Sequence, residues 1–225
     1  MFCDCSIPSG ADCICAVRNV PEKDVGAGCL FFGYGSTPPD DAVCEDALPR
    51  ALTGVAGIIT DAVDSVMRSG CATDFSTITA HIDSALKSAN WKLWDLGKKL
   101  GQGIYIGGSV FYTVQAQYLE ISWGGGAAYV LENNRLVQLE QPSLNHLIRD
   151  ALGGAEHWSG HFRQGVLPLY GSVFGVTGTP KDMAECERQL LAATVPGYAT
   201  DTLASIFRSN LQEDAWVPAV IEIRR

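Results

Sequence analysis

The chain has 225 residues, of which 47% are hydrophobic and 18% are charged. An apolar fraction of this size is enough for one large domain with a buried core, and it excludes a disordered acidic chain. The net charge of −9 argues against nucleic acid as the main partner, because binding to phosphates needs a positively charged surface. The sequence has no apolar stretch long enough to cross a membrane, and its first residues lack the basic segment of a signal peptide. We therefore predict one cytoplasmic domain over residues 1–225, with its cysteines present as thiols.

Three short strands are predicted at the start of the chain. Residues 1–7 and 12–17 flank the sequence Pro-Ser-Gly at 8–10, a turn in which glycine can adopt a left-handed conformation. The apolar run 28–33 is the third strand. The first two strands are expected to form a hairpin.

Two long amphipathic helices follow. Residues 41–68 and 74–100 both place apolar side chains at the helical spacing of three and four residues. Gly101 comes directly after the second segment and is expected to end it.

From residue 109 the apolar pattern changes to a period of two, which is typical of strands. Strands are predicted at 109–114, 118–123, 127–131, 136–139, 165–174 and 216–223, and helices at 143–152, 180–193 and 200–211. Runs of strands therefore alternate with pairs of helices. This order favours an α+β fold built as a four-layer α-β-β-α sandwich, in which two antiparallel sheets are flanked by helix pairs.

Several short motifs occur in an order and spacing that resemble the PPM-type (type 2C) metal-dependent Ser/Thr protein phosphatases. The segment LIRDALGG at 147–154 resembles the family pattern LTRALGG, and GGSV at 107–110 resembles GTTA. SWGGGAAYVL at 122–131 resembles NVGDSRAYLL, and DAWVPAVIEI at 214–223 resembles DNITVVVVEI. Arg18 with the following Glu-Lys-Asp at 22–24 resembles the early pattern R..NED.

The resemblance implies a site in which acidic side chains hold two Mg²⁺ or Mn²⁺ ions that activate a water for attack on phosphorus. The family pattern DGHGG falls on residues 32–36, which places Tyr34 at its aspartate and Ser36 near its histidine; a slip of one residue would place Gly33 there. The aspartate of GDS falls on Gly125. The aspartate of SDGLTD falls on Phe174, whose ring is expected to fill the centre of the site.

With these replacements, few of the acidic metal ligands of the family have a counterpart in this sequence. Glu22 and Asp214 are the residual metal-binding candidates, and Arg18 is the candidate for contact with phosphate. One or two carboxylates hold Mg²⁺ weakly. We therefore expect no cofactor and no catalytic residues, unless Mg²⁺ or Mn²⁺ is retained in a residually active enzyme.

The leading hypothesis is a pseudophosphatase, a regulatory or adaptor domain that binds a kinase, a phosphoprotein or another protein partner. The alternative is a divergent, active Mg²⁺- or Mn²⁺-dependent phosphatase that recruits other acids, such as Asp40, Asp41 or Glu120. A third possibility is an unrelated α+β structural domain with fortuitous motif matches.

Four cysteines near the start form a second candidate site. In the predicted hairpin, Cys5 faces Cys13 and Cys3 faces Cys15, so that all four lie on one side. They are either a four-thiolate Zn²⁺ site or small apolar residues that face the core. Zinc sites are usually built on C-x₂-C turns, so the core interpretation is favoured.

Overall fold

A computed structural model describes residues 2–7, 12–35, 47–139, 147–158, 160–169, 172–177, 180–193, 200–210 and 219–224. It contains ten strands and five helices within these ranges. The strands are β1 (Phe2–Ser6), β2 (Cys13–Val20), β3 (Val25–Gly35), β4 (Ile104–Val114), β5 (Gln117–Trp123), β6 (Gly126–Glu132), β7 (Arg135–Gln138), β8 (His161–Val166), β9 (Ser172–Thr177) and β10 (Val220–Arg224). The helices are α1 (Ala47–Arg68), α2 (Phe75–Leu100), α3 (Leu147–Asp150), α4 (Met183–Ala193) and α5 (Thr200–Asn210).

The strands form two five-stranded antiparallel sheets. The first sheet has the order β1-β10-β9-β6-β7, and the second has the order β2-β3-β4-β5-β8. The chain therefore crosses between the sheets four times, at β1 to β2, β5 to β6, β7 to β8 and β8 to β9. Every strand pair among the described residues is antiparallel.

Successive side chains along each strand point to opposite faces of the sheet, and the buried apolar side chains form three layers. One face of the second sheet packs against α1 and α2, and one face of the first sheet packs against α4 and α5. The remaining faces pack against each other and bury Leu30, Phe111, Tyr118 and Ile221 between the sheets. The predicted four-layer α-β-β-α sandwich is therefore confirmed.

Two strand predictions are wrong. The first two strands do not form a hairpin, because β1 pairs with β10 in one sheet while β2 pairs with β3 in the other. The single strand predicted at 165–174 is two strands, β8 and β9, which lie in different sheets. The two-residue period shows that a segment is extended, but it carries no information about which neighbour it pairs with.

The ends of α2 follow the local sequence. Asp74 caps the first turn by accepting a hydrogen bond from the Ser76 amide at 3.0 Å. Gly101 ends the helix in a left-handed conformation with φ of 69°, as the sequence predicts. In the described part of the chain, every helix is too short or too polar to cross a lipid bilayer.

The two sheets approach each other most closely at glycines. A β-carbon on Gly28 in the second sheet would lie 2.6 Å from the Cys3 sulfur in the first. A β-carbon on Gly175 in the first sheet would lie 2.5 Å from the Phe111 ring in the second. One on Gly126 would press into the backbone carbonyl of Gly108 across the gap. Because glycine has no side chain, atoms of the facing sheet can occupy the space at these three positions.

We predict that Gly126→Ala lowers the free energy of unfolding by about 1–3 kcal/mol, because the added methyl meets backbone atoms that cannot rotate away. Urea denaturation measures this loss. The matched control is Gly57→Ala on the exposed face of α1, where a β-carbon meets nothing within 4 Å. That change is expected to raise stability by about 0.5–1 kcal/mol through helix propensity. Equal effects of the two substitutions would contradict the close approach of the sheets at Gly126.

Candidate functional site

Strand ends from both sheets meet at one end of the sandwich. Gly35 at the end of β3 pairs with Ile104 at the start of β4, and Gly126 at the start of β6 pairs with Thr177 at the end of β9. The turn from β5 to β6 crosses between the sheets at the same place. We call the residues 33–35, 104–107 and 124–126 the site edge. It contains two of the positions at which the family resemblance predicts metal-site residues, Tyr34 and Gly125.

Two tyrosines occupy the centre of the site edge. Tyr34 and Tyr105 are paired across β3 and β4, and their ring centroids are 5.3 Å apart at an angle of 38°. Both lie on the face that is turned toward the other sheet, by strand alternation from Leu30 and Phe111. Burial, with smaller contributions from Tyr105 and Asp150, raises the pKa of the Tyr34 phenol above its usual value. Tyr34 is therefore a neutral hydrogen-bonding group near pH 7.

A segment after α3 is fastened over the site edge by buried hydrogen bonds. Ile106 and Leu152 exchange two backbone hydrogen bonds, of 3.0 and 2.9 Å. The buried Asn90 side chain of α2 accepts from the Gly153 amide at 2.8 Å and donates to the Ala155 carbonyl at 3.0 Å. The motif LIRDALGG thus has a structural role in this chain, since its last residues hold this segment against β4.

Gly125 lies in the tight turn between β5 and β6. Its φ is 92° and that of Gly124 is 56°, and both values are in the region that favours glycine. A β-carbon on Gly124 would lie 2.9 Å from both Ala151 and the backbone of Gly107. The turn is therefore a close crossing of the chain, and its glycines supply no side-chain ligand.

Phe174 does not occupy the centre of the site, contrary to the sequence expectation. Its ring packs against α5, with its centroid 5.3 Å from that of Phe207, in the apolar layer between the first sheet and its helices. The neighbours Val173 and Gly175 face the second sheet instead. The expectation failed because the loop alignment did not fix which residues of the strand point inward.

Arg18 and Glu22 lie at the opposite end of the sandwich from Tyr34. Arg18 pairs with Ala27 in β3, seven residues before Tyr34, which is a distance of roughly 23 Å at about 3.3 Å per residue. Its guanidinium is half exposed on the helix side and contacts Asp64 of α1 at 3.2 Å. Glu22 lies in the exposed turn from β2 to β3. The structure therefore separates these two candidates from the site edge.

The remaining site candidates are one serine and four acidic residues. Ser36, Asp40, Asp41 and Asp214 lie outside the described residues. Glu120 is fully buried in β5, directly opposite Arg163 of β8, and faces the space between the sheets. It stands three residues before Trp123, the last residue of β5, so it is not part of the site edge.

The described residues do not fit a binuclear metal centre. Hard divalent cations need several converging oxygen ligands, mostly carboxylates. Within the described ranges no group of three or more His, Cys, Asp or Glu side chains is arranged to hold a metal. At the two aligned positions the site edge offers the neutral phenol of Tyr34 and Gly125, which has no side chain.

The four early cysteines lie together, but not in the predicted geometry. Cys3 and Cys5 in β1 face Cys13 and Cys15 in β2 across the gap between the sheets, within one apolar cluster. All four are free thiols. The core interpretation agrees with this placement, whereas the ladder partners predicted for the hairpin, Cys5 with Cys13 and Cys3 with Cys15, are wrong.

A groove on the outer side of the second sheet was not anticipated from the sequence. It has a volume of about 800 Å³ and lies between the start of α2 and β8. Its lining combines the aromatic residues Phe75, Trp158 and Phe162 with the charged residues Asp74, Asp83 and Lys87. Tyr105 and Asn90 were also missed, because only the pairing of strands and the position of α2 bring them to the site edge.

Comparison of the structure with solved structures identifies the fold as that of the bacterial type 2C Ser/Thr phosphatases. A bacterial serine phosphatase matches with a TM-score of 0.69 at 14% identity, covering 99% of this chain and 97% of its own. The catalytic domain of the phosphatase PstP, in complex with two manganese ions, matches with a TM-score of 0.68 at 13% identity, with coverage of 98% and 96%. PppA of Pseudomonas aeruginosa, a key regulatory component of the T6SS, matches with a TM-score of 0.65 at 12% identity, with coverage of 98% and 97%. No protein-family model and no curated protein sequence matches the chain.

We predict that the rings of Tyr34 and Tyr105 stabilise each other by about 0.5–1.5 kcal/mol. A double-mutant cycle of Tyr34→Ala and Tyr105→Ala, measured by urea denaturation, yields this coupling energy. Tyr34→Phe keeps the ring and serves as the control, with a much smaller loss than Tyr34→Ala. Strictly additive losses in the cycle would show that the rings are not in contact.

Proposed function

We propose that this protein is a non-catalytic phosphatase-fold domain that acts by binding a protein partner. The observation that carries the proposal is the pair of tyrosines whose rings are in contact at the site edge. Tyr34 stands where the family pattern DGHGG has its aspartate, and its ring contacts Tyr105. A cytoplasmic location remains a prediction.

The energetic argument rests on how the family generates its nucleophile. A bound metal lowers the pKa of water from about 15.7 to about 7, which supplies hydroxide at neutral pH. A ligand set for that metal needs ionised oxygens. The raised pKa of Tyr34 keeps its phenol protonated at neutral pH, and Gly125 has no side chain to contribute. The site edge is therefore poorly suited to the chemistry that the fold performs elsewhere.

A protein partner is supported by the exposed edge of the second sheet. In the described part of the chain, β8 is the last strand of that sheet. Phe162 and Val166 are 36% and 68% exposed, and Leu169 just after the strand is 61% exposed. An edge strand with exposed apolar side chains can accept a further strand from another protein.

The groove beside β8 indicates the chemistry of the partner segment. Phe162 and Gln164 point into it, next to Asp74 and Asp83 of α2. Lys87 already contacts Asp83 at 2.7 Å, so the groove carries a net negative charge. We therefore propose an extended segment with alternating apolar side chains and at least one Lys or Arg.

We predict that the protein neither binds two Mn²⁺ ions nor hydrolyses an aryl phosphate in their presence. Isothermal titration with Mn²⁺ and a p-nitrophenyl phosphate assay test the two parts, with the PstP catalytic domain as the positive control. Saturable two-site binding together with Mn²⁺-dependent turnover would overturn the proposal. That result would favour an active phosphatase that uses acids such as Asp40, Asp41 or Asp214.

We predict that selection from a displayed peptide library enriches segments with alternating apolar residues and a basic residue. The substitutions Phe162→Lys and Val166→Lys are expected to reduce binding of the enriched peptide at least tenfold, because they place charge on the docking strand. Trp91→Lys is the matched control, since Trp91 is 59% exposed on a part of α2 away from the groove. Equal losses for Trp91→Lys and the β8 variants would show that the peptide does not bind at β8.

A further inference from the structure

The cysteines of β1 and β2 are brought together at one margin of the sandwich. β1 is the outermost described strand of the first sheet, and β2 is the outermost described strand of the second. Facing sheets usually lie about 10 Å apart. At this margin the two strands are closer, with Cα atoms of β1 and β2 within 8 Å of one another. The sandwich is therefore nearly closed along this side.

Cys5 and Cys15 are the pair that we single out. They belong to different sheets and both point into the gap, and the interaction of the two thiols is the main cause of the opposite shifts of their pKa values. Both are only partly buried, unlike Cys3. A disulfide needs Cα atoms about 4.4–6.8 Å apart, and residue pairs of β1 and β2 have Cα atoms within 8 Å of one another.

The two thiols have different chemical roles available to them. The hydrogen bond from Cys15 lowers the pKa of Cys5, so Cys5 carries more thiolate than an ordinary cysteine. The same bond and burial raise the pKa of Cys15, so Cys15 is the protonated member of the pair while Cys5 is a thiolate. Cys13, which is also near the margin, has its pKa raised to about 11 by burial and by Asp12.

We propose that Cys5 and Cys15 form a reversible redox pair, in which oxidation by a small-molecule disulfide joins the two sheets through one Cys5–Cys15 disulfide bond. The inference does not depend on the proposed function, because it concerns thiols that lie away from both the site edge and the groove.

The reaction balances as two successive thiol–disulfide exchanges. The Cys5 thiolate attacks one sulfur of the small disulfide, forming a mixed disulfide and releasing one small thiolate. Cys15 loses its proton and attacks the Cys5 sulfur, releasing the second small thiolate. The two cysteines are oxidised by two electrons, and the small disulfide is reduced to two thiols.

Proteolytic cleavage on the amino-terminal side of aspartate residues places Cys5 and Cys15 in different peptides, which mass spectrometry can identify. Cleavage before Asp4, Asp12 and Asp24 releases peptides 1–3, 4–11 and 12–23, which contain Cys3, Cys5 and the pair Cys13 and Cys15, respectively. The folded protein is treated with oxidised glutathione, alkylated, digested and mapped. We expect a disulfide-linked pair of peptides 4–11 and 12–23 that disappears after treatment with dithiothreitol.

Single variants then identify the partner of Cys5. Cys13→Ser is the matched control and is expected to keep the linked peptides, whereas Cys15→Ser is expected to lose them and retain glutathione on Cys5. Oxidation of the unsubstituted protein is also expected to raise its melting temperature, since the bond closes a loop and restrains the unfolded chain. Absence of the link in the unsubstituted protein, or its persistence in Cys15→Ser, would overturn the proposal. Neither result bears on the Mn²⁺ or peptide experiments, so the two proposals fail independently.

Discussion

The close approach of two antiparallel sheets is the constraint on which the rest of the structure depends. Glycines make it possible, because Gly28 leaves room for the Cys3 sulfur and Gly175 leaves room for the Phe111 ring. The same approach draws Cys5 and Cys15 into contact at the margin of the sandwich. At one end it brings the chain crossing at Gly124 against the start of β4. A sandwich held at the usual sheet spacing throughout would have none of these contacts.

Among the described residues, the site edge holds two tyrosines whose rings are in contact and no cluster of carboxylates. Carboxylates that converge on one point repel each other unless cations lie between them, and each then has a raised pKa. Two tyrosines whose rings are in contact gain stability from that contact and from burial. Tyr34 and Tyr105 are partly buried, and their rings contact each other at this end of the sandwich.

Three apolar layers contain most of the buried side chains among the described residues. The chain has a similar fold to phosphatases with which it shares only 12–14% sequence identity. We infer that the apolar layers and the glycine contacts specify this architecture. We propose functions for places that lie outside the site edge. The open edge of β8 with its groove, and the thiol pair at the β1–β2 margin, are two such places.

The sequence by itself determined most of the elements and their order, with β8 and β9 predicted as one strand, because apolar periodicity, caps such as Asp74 and stops such as Gly101 are local signals. It also determined the four-layer class, since runs of strands alternate with helix pairs. Only the tertiary structure decided which strands are neighbours, and with them the placement of Phe174 on the helix side and of Arg18 far from Tyr34. Pairing and facing arise from contacts between residues distant in sequence. An apolar period of two indicates that a strand has one apolar and one polar face, but it does not indicate which element packs against each face.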